Sequence, residues 1–241
     1  MAKYNWYSGR VIKIIDETPN IKRFFFEIPE LHEFEFKPGQ FVIIDPEKEY
    51  NLPSREYSIA SAPGNGNVIE LIIVLNEGGK LTPYLFNEIK TGSEIKISSA
   101  LGKFILPEKI EKELCFICTG VGIAPLRSMY LYVLQNNIPH KKINLIFGTR
   151  QLHDICYKDE LASLVKKFSS FDYHPVLSRE SSEAWNGRKG YVHQIYNEMY
   201  SDLRPSYFYI CGWKKMILEA RDNLAALGYS RNDIKYELYD K

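Results

Sequence analysis

Cysteine is scarce in this chain of 241 residues: four, at positions 115, 118, 156 and 211. No four of them cluster, so an iron–sulfur centre has no ligand set here. If electrons pass to such a centre, it belongs to another protein. Cys115 and Cys118 form a C-x-x-C, but within an apparent strand, Leu114-Cys115-Phe116-Ile117-Cys118. An offset of three turns them to opposite faces, which argues against a redox pair or a zinc knuckle and for buried thiols. No apolar run approaches the length of a membrane span. Met1-Ala2-Lys3-Tyr4-Asn5-Trp6 leads into no apolar central region, so the expectation is a cytoplasmic protein without a leader. An excess of one charge is also missing: Lys+Arg total 31 against Asp+Glu 30. That balance argues against a dedicated nucleic-acid binder. No internal repeat at solenoid spacing is present.

What the chain does have is aromatic residues, 17 Tyr and 13 Phe. Tyrosine packs a ring and still satisfies a hydroxyl, which suits wet-edged cores and equally a ring-stacking ligand site. The length fits one large domain or two of common size.

The first half reads as strands and turns. Arg10 to Asp16 is β-branched. Lys22 to Ile28 sets Phe24, Phe26 and Ile28 on one face with Arg23 and Glu27 opposite, and Pro29 ends it. Phe41 to Asp45 follows the turn Lys37-Pro38-Gly39-Gln40. Val68 to Leu75 is apolar at nearly every position, hence buried on both sides or beside a ligand. Gly78-Gly79-Lys80-Leu81-Thr82-Pro83 precedes a helical pattern at 84–89. Glycines before a helix free N–H groups for phosphate; Thr82 suits a cap, and the two roles are compatible. Glu94 to Ser98 alternates as a last strand. The sum is a small antiparallel barrel.

Composition shifts near Pro107, and the charged connector 108–113 marks a boundary: 1–107, then 108–241. Beyond it, apolar strands at 114–118, 143–147, 173–177, 207–211 and 234–238 alternate with helices at 124–136, 161–168, 191–200 and 216–227. That order predicts a parallel sheet with right-handed crossovers. Ligands of such a sheet bind at the carboxyl ends of its strands. The first end reads Thr119-Gly120-Val121-Gly122-Ile123-Ala124-Pro125, whose glycines admit a pyrophosphate, or serve simply as a tight turn. The next ends carry Arg150, then Ser178-Arg179-Glu180 with Arg188 after it. Cys211-Gly212 closes the fourth strand, and Glu237 and Tyr239 lie at the last. Three arginines beyond adjacent strand ends suit an anion pocket; singly, each suits a solvated loop.

Between two strands of the first half stands Arg55-Glu56-Tyr57-Ser58-Ile59-Ala60-Ser61. An arginine fork holds phosphate, a tyrosine two positions on lies against a ring, and a serine hydroxyl reaches a ring edge. Together they offer a grip for each part of a flavin nucleotide; ordinary cross-strand partnership is the plainer alternative.

With Arg55-x-Tyr57-Ser58, Gly79-Lys80-Leu81-Thr82, Gly120-x-Gly122-x-Ala124-Pro125, Ser178-Arg179-Glu180, Cys211-Gly212 and Glu237-x-Tyr239 in order, the chain resembles the ferredoxin–NADP reductase family. The likeness runs from about Ser8 to Tyr239. It implies an antiparallel Greek-key β-barrel for flavin, followed by an α/β parallel-sheet nucleotide domain. By resemblance, Arg55, Lys80, Leu81 and Thr82 hold the flavin phosphates, Tyr57 stacks on the isoalloxazine, and Ser58 bonds near the hydride-accepting N5. The main chain of Ile73 and Val74 pairs with the pyrimidine edge. Thr119, Gly120, Gly122, Cys211 and Gly212 meet the second nucleotide, and Glu237 aids proton traffic. Tyr239 resembles the terminal aromatic that covers the flavin, although Asp240 and Lys241 follow it. Arg150, Ser178, Arg179 and Arg188 favour NADP over NAD, and family frequency favours FAD over FMN. The implied protein is a monomeric oxidoreductase that exchanges hydride between NADP(H) and flavin and single electrons with ferredoxin or flavodoxin. Such carriers are usually acidic, and Lys103, Lys214 and Lys215 are candidate contacts. The alternatives are an NADH-dependent oxygenase component or free-flavin reductase, and a non-catalytic electron-transfer subunit.

Overall fold

The computed structural model describes residues 4–46 and 52–239. Met1 to Lys3 of the leader reading, and Asp240 and Lys241 after Tyr239, lie outside the described residues. The chain divides into two compact units. The first is Met1–Ile105 with Arg127–Tyr132, the second Leu106–Leu126 with Val133–Lys241.

The first unit holds β1 (Trp6–Thr18), β2 (Ile21–Glu27), β3 (Phe41–Asp45), β4 (Arg55–Ser58), β5 (Val68–Val74), α1 (Leu81–Asn87) and β6 (Glu94–Ser98). Neighbours run β4-β3-β6-β1-β2-β5, and every ladder is antiparallel. Beyond β4 the chain meets β5 through an Ile59–Leu71 bridge, and Ala60 N–H donates to Glu70 O at 2.8 Å. The sheet thus curls back on itself into the expected barrel. Phe24, Phe26 and Ile28 are fully buried in its core with Val42, Ile44 and Leu71, as the two-residue period requires.

β1 is longer than the β-branched run Arg10 to Asp16. Its first residues pair with β6, Trp6 opposite Ser98 through Arg10 opposite Glu94. That pairing, rather than side-chain pattern, extends it. Gly9 lies in this segment because a Cβ there would run into the Ile97 side chain. The helix expected at 84–89 starts earlier, at Leu81, and Lys80 rather than Thr82 takes the cap position. The Thr82 hydroxyl instead closes the preceding loop. It donates to Asn76 O at 3.1 Å and accepts from Asn76 N at 2.9 Å.

The second unit holds β7 (Glu113–Thr119), α2 (Ile123–Gln135), β8 (Ile143–Thr149), α3 (Lys158–Lys167), β9 (Phe171–Leu177), β10 (Arg188–Lys189), α4 (Val192–Met199), β11 (Ser206–Gly212), α5 (Lys214–Leu227) and β12 (Ile234–Leu238). Residues 127–132 of α2 are the part counted with the first unit. The sheet order is β10-β9-β8-β7-β11-β12, parallel throughout. β10, two residues beside Val176 and Leu177, is too short for any periodicity to reveal. One face packs Ile117, Ile146, Phe208 and Ile210 against Tyr196 of α4 and Ile217 and Leu224 of α5. Gly228 stops α5 with φ 117°, a conformation glycine adopts without a Cβ penalty. All four cysteines are free and buried. Burial pushes the Cys115 thiol up to about 12. Among the described residues no helix is long and apolar enough to cross a membrane.

Half-buried His174 lies with its Nε2 3.4 Å from Asn144 Oδ1, and Asn144 Nδ2 donates to Tyr200 Oη at 3.1 Å. Burial first, with help from Arg188 and Lys142, lowers the His174 pKa against the opposing pull of Asp172. The folded state therefore resists a proton that the unfolded chain accepts. Stability is present above the ordinary imidazole value and is lost as pH falls through the lowered one. The urea midpoint should fall between about pH 7.5 and about pH 5.5, and fall less in His174→Gln. Equal slopes in both proteins would contradict this assignment.

Candidate functional site

In the first unit, Ile44 faces Arg55, Val42 faces Tyr57 and Phe41 faces Ser58 across the β3–β4 ladder. Alternation sets Arg55 and Tyr57 on one side of β4 and Ser58 on the other. Arg55 is exposed, Tyr57 half-buried and Ser58 buried. Tyr57 packs against the barrel core, and burial raises its pKa, so the phenol stays protonated. On β5, the donation from Ala60 N–H to Glu70 O shows that even-numbered main-chain groups face β4. Strand alternation then directs Val74 to that edge, past the last β4 contact, and directs Ile73 to β2, where it stands opposite Lys22. Leu75 N–H donating to Asn20 O agrees with this phase. At the start of α1, the Leu81 side chain is buried and the Thr82 hydroxyl is engaged by Asn76.

In the second unit, the ends of β7, β11 and β12 converge. Gly120 has φ 53°, and a Cβ there would meet nothing within 4 Å. Gly122 differs: a Cβ would strike the Cys211 carbonyl and lie 2.6 Å from Gly212 Cα. Gly212 has φ 136°, and its Cβ would lie 2.8 Å from Thr119 N. Trp213 N–H donates to Thr119 Oγ1 at 3.0 Å. Thr119, Gly120, Gly122, Cys211 and Gly212 are therefore one assembly of closely approaching main chain. Cys211 pairs in register with Glu237, and Tyr239 Oη donates to Val121 O at 3.4 Å. Burial, then the Glu237 carboxylate, pushes the Cys211 thiol well up, against the pull of its contact with Tyr239. Cys211 is thus a fully buried, protonated side chain rather than a thiolate.

At the neighbouring strand ends, Arg179 N–H donates to Arg150 O at 2.9 Å, and Ser178 N–H donates to Thr149 O at 3.0 Å. Both arginine side chains are exposed. Glu180 staples the two loops: its carboxylate accepts from Leu152 N and from Ser182 N, each at 2.7 Å, and these bonds hold its pKa down. Arg188 goes elsewhere. It stands beside Val176, one face of the sheet, and its fork grips Glu198 of α4 at 2.6 and 3.1 Å. Arg150, Ser178 and Arg179 come together, and Arg188 is committed to a helix.

Two family models match the chain: an oxidoreductase FAD-binding domain over residues 8–105 and an oxidoreductase NAD-binding domain over residues 116–222. The chain belongs to the ferredoxin–NADP reductase family. It is an oxidoreductase built from an FAD-binding and a pyridine-nucleotide-binding domain. Ferredoxin–NADP reductase B of Sorangium cellulosum is 29% identical over 97% of this chain and 98% of its own. Phenol hydroxylase P5 protein of Acinetobacter pittii is also 29% identical over 97% of this chain, which spans only 65% of that protein. A ferredoxin NADP+ reductase structure from Neisseria gonorrhoeae, with bound FAD and NADP, superposes with TM-score 0.83 at 25% identity, covering 99% of this chain and 100% of that one.

The two units of this reductase-family chain suit those groups chemically. Gly120 leaves open main chain without a Cβ atom, Gly122 lets the end of β11 close on the same turn, and Arg55 stands exposed at the start of the strand bearing Tyr57. Two aromatics escaped the sequence reading. Tyr191, 62% exposed just before α4, stacks on His193 with centroids 5.8 Å apart; Trp213, 66% exposed, immediately precedes α5. Each directly follows a glycine, but only the fold shows that their rings stay largely exposed. Gly122→Ala should weaken pyridine-nucleotide binding at least about tenfold, because backbone cannot yield to a Cβ at that approach, with flavin content unchanged. Calorimetric titration and the flavin absorbance of the purified variant check both halves.

Proposed function

We propose that this protein is an NADPH-dependent reductase that passes electrons to a ferredoxin- or flavodoxin-type carrier. The observation that carries the reading is the joining of Arg150, Ser178 and Arg179 by their main chains at adjacent strand ends. Two exposed guanidinium groups and a hydroxyl suit a ribose 2′-phosphate, whereas a bare ribose diol usually meets a carboxylate. The exposed ring of Tyr191 offers a purine platform.

The bound flavin supplies the conversion between hydride transfer and single-electron transfer. In the barrel, Arg55 holds the flavin phosphates with the main chain at Lys80, Leu81 and Thr82. Tyr57 stacks on the isoalloxazine, Ser58 donates a hydrogen bond near N5, and the Val74 main chain meets the pyrimidine edge. In the second unit, Thr119, Gly120 and Gly122 hold the pyrophosphate, Cys211 and Gly212 border the nicotinamide, and Glu237 carries a proton. Lys214 and Lys215 of the second unit, or Lys103 of the first, would receive an acidic carrier. The protein acts as a monomer in the cytoplasm, with the domain boundary at 107.

Two observations favour a second reading, NADH-driven supply of electrons to an oxygenase. One is the commitment of Arg188 to Glu198, which leaves two arginines rather than three for a 2′-phosphate. The other is the likeness to the phenol hydroxylase P5 protein.

Anaerobic titration with NADPH should bleach the flavin absorbance stoichiometrically. Absence of bleaching with either nicotinamide would leave a non-catalytic subunit. Arg179→Ala should raise the Michaelis constant for NADPH by about tenfold or more and leave that for NADH nearly unchanged. Equal changes for both would shift the assignment to the oxygenase reading.

A further inference from the structure

Glu70 is the single charged residue of β5, and it is 4% exposed. Its Oε1 accepts from Arg23 Nε at 2.6 Å, and Arg23 Nη1 also donates to Glu17 Oε2 at 3.3 Å. Its Oε2 accepts from Arg127 Nη1 at 3.0 Å. Arg127 is 6% exposed, and the same Nη1 donates to the carbonyl of Ala60 at 2.7 Å. The Glu70 main chain holds the same short run: its N–H donates to Ser61 Oγ at 3.1 Å and its carbonyl accepts from Ala60 N–H. Every one of these residues belongs to the first unit.

Removing charges from water is expensive, and apolar residues of similar volume often hold a fold as well. A charged pair has directional donors, which an apolar pair lacks. Here one guanidinium nitrogen fixes a carboxylate and a main-chain carbonyl together. Ala60 follows Ser58 by two residues and Tyr57 by three. With its N–H held by Glu70 O and its carbonyl by Arg127, Ala60 pins the exit of β4.

We propose that Arg127, seated on Glu70, is a positioning residue for the flavin-binding strand: it sets the register and orientation in which Tyr57 and Ser58 meet the ring. The inference rests on the reading that those two residues hold the flavin. Arg127 itself touches the carboxylate and the carbonyl, not the reacting atoms.

The test compares the full-length wild type with R127M, R127K and E70Q, titrating FAD into each apoprotein by flavin fluorescence and recording visible circular dichroism. R127M should weaken FAD binding by at least about tenfold and alter the visible dichroism of the bound flavin. R127K, whose ammonium retains a charged donor, should stay within about threefold of wild type. At saturating FAD, the Michaelis constant for the pyridine nucleotide should stay within about twofold. A folded R127M with wild-type FAD affinity and dichroism would overturn the proposal, as would a rise in that Michaelis constant with flavin affinity unchanged. Should R127M fail to fold, E70Q decides, since it keeps the side-chain shape: weakened FAD binding supports the proposal and unchanged binding sinks it. A wild-type protein that takes up no flavin overturns the functional reading itself, a result distinguishable from equal binding by wild type and variants.

Discussion

A carboxylate withdrawn from water has to be answered by donors, and Glu70 is answered by two arginines from separate segments. One comes from β2, the strand beside it. The other comes from α2, whose residues 127–132 are counted with the barrel. Between them runs the short segment Ala60-Ser61, bonded to Glu70 through main chain and side chain alike. The cost of leaving any one of these groups unpaired is the desolvation of a buried charge. The residues after β4 are thus among the most constrained in the barrel, and β4 carries the residues with the strongest claim on a flavin.

The second unit solves a different problem, that of bringing the main chains of two strand ends close to one another. Glycine supplies the approach, but the reasons differ by position. Gly122 lacks a Cβ because the end of β11 occupies that volume, whereas Gly120 lacks one while facing open space at positive φ. The hydrogen bond from Trp213 N–H to Thr119 Oγ1 and the absent Cβ of Gly212 keep the two strand ends at that distance. Two charged side chains near these ends are structural. Glu180 of the Ser178-Arg179-Glu180 motif ties two loops, and the Arg188 fork is engaged by Glu198.

Much of this was legible in the chain before it was folded. The strands Phe41–Asp45, Glu94–Ser98 and Ile234–Leu238 agree at both ends, because alternation and flanking turn residues mark them locally. Boundaries failed where pairing rather than pattern decides: β1 runs from Trp6 because β6 is there to receive it, and β10 exists through its bonds to β9. Thr82 fits a cap by type and spacing, yet Asn76 claims its hydroxyl. Glu70 was submerged in an apolar run, and Arg127 sits within a helical pattern that gives no sign of where its charge goes.

The order of elements, the alternation from barrel strands to a βα repeat, and the presence of glycines and arginines at strand ends were fixed by local preference and periodicity. These act over a few residues and can be read along the chain. The choice of partner for each charged side chain belonged to tertiary structure. Arg188 turning to Glu198 of another element, Arg23 and Arg127 converging on Glu70, and the rings of Tyr191 and Trp213 left largely exposed all depend on how separate elements assemble. Electrostatic pairing and solvent exclusion act through space, and only the assembled sheets and helices define those distances.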